Sequence, residues 1–199
     1  MASQGVFGSI NQEEEFDLPL GYRFSPNGQE IIVQYLTKKI LNQRLPSNII
    51  KDIDLYAYDH PRQLPIGEFK NCKPDEGYFF TQLENRDGKG QPKRTTKSGY
   101  WKDTGKVEQI IWNNSIVGFK KILVFYEGKP PTGTRSRWVM HEFRVNPSYL
   151  SAFALDITTQ TEVVNYVACK IHHKKESGNK RSEAGKKKNL PVRKKTKAC

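Results

Sequence analysis

The chain has 199 residues, a formal net charge of +12 and a hydrophobic content of 36%, which fits one folded domain with polar segments attached. No apolar run reaches the ~18 residues that a membrane-spanning helix needs, and the acidic first 17 residues do not read as a signal peptide. Cys72, Cys169 and Cys199 are odd in number and far apart, which argues against a disulfide framework and makes a reducing, intracellular compartment the default.

In chain order, residues 1–16 are polar without periodicity and read as a flexible arm. The run "SPNGQEIIVQYLTKKILNQRLP" places apolar residues at 31, 32, 35, 36 and 40, which is helix spacing. Asn27 followed three residues later by Glu30 is a capping-box pattern, and Leu45-Pro46 closes the segment. Residues 47–76 hold short apolar clusters between prolines and predict one-turn helices and loops. After residue 76 the pattern turns short, aromatic and β-branched: "GYFFTQL", "GYWKDTG", "VEQIIW", "IVGFKKILVFYEG", "SRWVMHEFRV" and "EVVNYVACKI". Asn113-Asn114 between two apolar runs predicts a hairpin turn. The expected fold is α+β, mostly β: a twisted antiparallel sheet of about six strands flanked by a few helices. Beyond His173 the chain is basic and nearly without apolar residues, so residues 175–199 read as a disordered tail.

The charge is concentrated. Residues 86–137 carry 12 Lys/Arg and 4 acids, net +8, inside an otherwise near-neutral folded part. A basic segment within a neutral domain reads as a face for a polyanion. A β-ribbon fits the DNA major groove, where cations meet phosphates and strand-tip groups reach base edges. The bland alternative is a solvated basic face with Trp101 in the core. Two basic clusters in the tail, containing Lys186, Lys187, Lys188, Arg193, Lys194 and Lys195, resemble a nuclear localisation signal. Cys169 lies close to His172 and His173, with Cys72 and His141 isolated, and this falls short of the paired spacing of a structural zinc site. No metal or other cofactor is expected. No nucleophile elbow or phosphate loop is present, and Asp52 and Asp54 read as surface carboxylates, so the chain is not expected to be an enzyme.

The segments "LPLGYRFSPNGQEIIVQYL", "IDLYAYDHPRQLP", "GYFFTQ", "KSGYWKDTG", "VGFKKILVFYEGKPPTGTRSRWVMHEFRV" and "YVACKIHHK" occur in this order. Together they resemble the NAC domain, a plant family of DNA-binding transcription factors, over residues 17–174. The resemblance implies dimers that put a sheet edge into the major groove of double-stranded DNA in the nucleus, without membrane attachment. It implies DNA contacts at Arg94, Tyr100, Lys102, Asp103, Thr104, Gly105, Lys106, Lys129 and Arg135. It also implies dimerisation through Leu18, Gly21, Arg23 and Glu30, with Arg23 and Glu30 as an intersubunit ion pair. Asp103 stands where the family has a small alanine, Gln91 where it often has arginine and Thr132 where it often has lysine. The dimer is expected as a homodimer or a heterodimer with related NAC proteins, and an alternative is a short NAC-type protein acting as a dimerisation partner or repressor of full-length family members. A general RNA-binding role ranks below both, because Tyr100 is the one stacking residue in view.

Overall fold

The computed structural model describes residues 21–69, 71–83, 94–153 and 165–175. Leu18, the arm over 1–16 and the basic tail with its lysine and arginine clusters lie outside the described residues.

Chain entry is fixed by Phe24, which is buried, packs edge-on against Tyr35 and Tyr78, and donates its N–H to Asn71 O. The helix that follows begins as expected. Asn27 Oδ1 accepts from Glu30 N at 2.9 Å, and Glu30 Oε2 accepts from Asn27 N at 2.8 Å. It starts as Gly28–Glu30, widens into π-helical turns over Ile31–Leu36, and ends as Thr37–Ile40. Ile31, Ile32, Tyr35 and Leu36 are its buried stripe. The helix stops several residues before Leu45-Pro46, with Asn42 in the left-handed region at φ 52°.

Among the described residues the sheet has seven strands: β1 Lys51–Asp52, β2 Glu76–Gln82, β3 Gly99–Asp103, β4 Glu108–Trp112, β5 Ser115–Glu127, β6 Thr134–Val145 and β7 Tyr166–His173. Their order is β1-β2-β7-β6-β5-β3, with β4 also on β5. The sheet is mixed rather than wholly antiparallel, because β1 runs parallel to β2. β1 falls in the stretch read as loops and single turns; two residues are too few to show a period. The turns expected in that stretch are present at Leu55–Ala57, Pro61–Gln63 and Ile66–Glu68. Asn113 and Asn114 take φ 47° and 59°, the left-handed pair of a type I′ turn joining β4 to β5.

Both faces of the sheet are covered in part. On one, the 53–69 segment packs on Phe79 and Phe125, through Phe69 and His60. On the other, the helix approaches β5 at Gly118, where a Cβ would stand 2.7 Å from Ile32 Cδ1 and 2.5 Å from Arg144 O. Only a residue without a Cβ allows that approach.

Candidate nucleic-acid interface

β3 and β4 run in the same direction along the same side of β5. β3 opposes residues 123–127 of β5 and β4 opposes residues 115–120. They form one edge, interrupted at residues 104–107. In that gap Thr104 N donates to Ile122 O at 3.0 Å, its hydroxyl reaches the same oxygen at 3.2 Å, and Gly105 N approaches Asp103 Oδ1 at 3.4 Å. Lys102, Asp103, Thr104, Gly105, Lys106 and Val107 are all exposed. Residues 104–107 are therefore an exposed connection along this edge, held to β5 through Thr104.

The two aromatic residues of "GYWKD" anchor this edge, one on each face. Trp101 is buried in the main core against Phe125. Tyr100 is 7% exposed, stacks on Tyr126 at 5.5 Å and 21°, and lies under the β5–β6 loop, with its hydroxyl 3.4 Å from Pro131 O. The Tyr100 ring is thus enclosed between Tyr126 and that loop.

Cross-strand pairing sorts the basic residues. Tyr100 opposes Tyr126, and Tyr126 opposes Arg135, so the three share one face across β3, β5 and β6. Lys102, two residues beyond Tyr100, is on that face too, with Nζ 5.3 Å over the Tyr126 ring. Lys129 is exposed in the loop that joins β5 to β6 at this end. Lys102, Lys106, Lys129 and Arg135 have no carboxylate in ion-pair range among the described residues. By contrast, Lys120 pairs with Glu108 at 2.6 Å and Lys121 with Asp103 at 3.5 Å. The Asp103 carboxylate is thus partly offset by its own neighbour.

Arg94, expected among the groove-facing cations, is placed elsewhere. Its guanidinium forks onto Glu142 at 2.7 and 2.9 Å on the opposite face, beneath Tyr56. Glu142 is 0% exposed and takes a further bond from Arg144 Nε at 2.9 Å. Burial works to raise the Glu142 carboxyl, and the bonds and charges of Arg94 and Arg144 outweigh it, so the group is held below the ordinary carboxylate range. A guanidinium in a bidentate pair with a fully buried acid is anchored by it. Sequence reasoning missed this partner and Tyr126. The available signal was one glutamate within the apolar run "WVMHEFRV", on the parity of Met140.

Arg23 and Glu30 are both exposed, and Gly21 has φ +90°. One oxygen of Glu30 is engaged in the helix cap, which leaves the other free. Among the described residues no group of three or more His, Cys, Asp or Glu is placed to hold a metal ion, and no helix is long and apolar enough to cross a membrane.

With that geometry in place, residues 19–145 match the family model described as No apical meristem (NAM) protein. The chain belongs to the NAC-domain family. It is 43% identical to NAC domain-containing protein 83 of Arabidopsis thaliana over 166 residues, covering 82% of this chain and 61% of that protein. It is 39% identical over 184 residues to NAC domain-containing protein 79 of the same plant, covering 90% of this chain and 53% of that one. NAC domain-containing protein 1 of Solanum lycopersicum is 39% identical over 163 residues, with shares of 81% and 56%. The chain thus spans between half and two thirds of the length of these relatives. NAC-domain proteins are in general plant transcription regulators rather than enzymes.

Proposed function

We propose that this NAC-domain chain is a nuclear, dimeric regulator of transcription that binds specific double-stranded DNA by inserting the β3–β4 edge into the major groove. The observation that carries this reading is the convergence of Lys102 and Arg135 on one face beside the exposed segment Asp103–Lys106, with Lys129 in the adjoining loop. An edge of this kind fits a groove about 12 Å wide. Lys102, Lys106, Lys129 and Arg135 supply phosphate contacts, while Thr104 and the exposed backbone at Gly105 stand where base edges come within reach. Asp103, braced by Lys121, is positioned to accept from a cytosine amino group, which would set sequence preference. Arg94 and Tyr100 act beneath the surface, holding the strand in place.

Dimerisation is assigned to the N-terminal side, with Arg23 of one copy facing Glu30 of the other, which leaves the cationic edge of each copy open for a half-site. The test is binding to duplexes selected from a random pool. A recurrent sequence with two spaced half-sites supports the reading; no enrichment over input refutes it.

A further inference from the structure

The β5–β6 loop that carries Lys129 leaves the sheet at Glu127 and Gly128, and a corner of the 53–69 segment grips it there. The corner is Asp59-His60, directly before the turn Pro61–Gln63. The His60 ring packs edge-on against Phe125 with centroids 5.1 Å apart, and its side chain is 18% exposed. Its two nitrogens have separate tasks. Arg62 N donates to Nδ1 at 3.0 Å, which makes Nδ1 the acceptor and puts the proton of the neutral ring on Nε2. Nε2 stands 3.3 Å from Glu127 Oε1 and donates to it. Nδ1 therefore caps a local turn, whereas Nε2 reaches 67 positions along the chain to the last residue of β5.

Asp59 ties the same corner to the segment entering β3. Its carbonyl oxygen accepts from Thr96 Oγ1 at 2.6 Å and from the Ser98 hydroxyl. Ser98 O in turn accepts from Gly128 N at 2.8 Å. Gly128 has φ +96°, so the chain turns sharply there into the loop. Two adjacent residues thus hold both sides of one junction: Asp59 the entry to β3, and His60 the exit from β5. His60 lies beneath this junction rather than on the exposed edge, so it acts through Glu127.

We propose that His60 is a positioning residue for DNA binding, a role that rests on the groove insertion proposed above. Through Nε2 it fixes the end of β5, and with it the loop from which Lys129 meets phosphate. A cation on a fixed loop makes its contact directly. One on a loose loop must be ordered on binding, and the contact is weakened by that cost.

The two nitrogens are tested apart, in the whole chain. His60→Asn keeps an acceptor where Nδ1 stands, in a residue favoured at such a cap, and loses the reach to Glu127. His60→Gln places an amide donor near the position of Nε2. Backbone amide shifts of residues 127–133 are recorded without DNA, and duplex affinity is measured against salt with and without Lys129→Ala. We expect His60→Asn to move those amides and to lower the slope of log K against log salt by about 0.9, the share of one phosphate. His60→Gln should restore both. In the Lys129→Ala background His60→Asn should change the slope no further, whereas a general loss of stability would weaken binding in both backgrounds alike. Glu127→Ala should move the same amides with the His60 ring left on Phe125, which covers a packing fault in His60→Asn. A folded His60→Asn chain with unmoved amides overturns the proposal, and so does a loss of slope that adds to that of Lys129→Ala. Failure of the unmodified chain to bind any duplex overturns groove insertion instead, and the amide shifts still decide whether His60 fixes the loop.

Discussion

Arg94 and Glu142 form a two-pronged ion pair, 2.7 and 2.9 Å long, between the segment leading into β3 and the centre of β6. Arg94 O also accepts from Trp101 N at 2.8 Å, so the same residue holds β3 by its backbone and the sheet by its side chain. The pair ties β3 to the middle of the sheet.

Glu142→Ala leaves the Arg94 guanidinium without its acid and should cost about 3–5 kcal/mol of stability; Arg94→Ala should cost less, because Arg144 still pairs with Glu142. Urea unfolding monitored by tryptophan fluorescence measures this. DNA binding by Arg94→Ala should fall in step with the folded fraction. A variant that stays fully folded while losing affinity would return Arg94 to the surface role expected from sequence.

The same pair sets a response to acid. Glu142 titrates below its ordinary value of 4.5 in the folded protein. The unfolded chain therefore binds the proton first as pH falls, and the stability from this group is full above about 4.5 and lost as pH drops through the folded value. Glu142→Gln should flatten the decline of unfolding free energy in that acid range, while lowering stability at neutral pH.

Gly99 and Gly133 let β3 and the β5–β6 loop close on each other. A Cβ at Gly99 would meet Tyr126 O at 2.2 Å, and one at Gly133 would meet Tyr100 Cε1 at 2.8 Å. Gly99→Ala should destabilise by roughly 1–3 kcal/mol through overpacking and shift the β3 backbone. Thermal unfolding, with backbone amide shifts of residues 99–105, checks both effects.

Sedimentation tests the N-terminal assignment. Arg23→Glu should give monomer at concentrations where the unmodified chain is dimeric, since it sets like charges opposite each other. Glu30→Ala is the less clean variant, because it also removes the Glu30 Oε2 bond to Asn27 N, the reciprocal half of the capping box.

Much of this molecule was legible in its sequence. The Asn27–Glu30 cap, the apolar stripe of the helix and the Asn113-Asn114 turn are local, and local chemistry decides them. β3, β4, β5 and β6 lie where the aromatic and β-branched runs put them. The parallel strand β1 was not legible, because its two residues are defined by their partners in β2. Within the candidate site, Lys102, Lys106, Lys129 and Arg135 were read from charge and resemblance and do lie on the exposed edge, its face or the adjoining loop. Arg94 and Tyr100 were assigned to the DNA-facing edge by resemblance. Glu142 and Tyr126 draw them inward, and those partners are 48 and 26 positions away, beyond any local pattern.

The most direct measurement of groove insertion is a salt titration of duplex binding by fluorescence anisotropy, comparing the unmodified chain with Lys102→Ala/Arg135→Ala. Both residues are exposed and lack ion-pair partners among the described residues, so the double variant should fold normally. We expect it to bind more weakly and to lose about two units from the slope of log K against log salt, roughly 0.9 for each phosphate contact removed. An unchanged affinity and slope in a correctly folded double variant would contradict insertion of this edge into DNA.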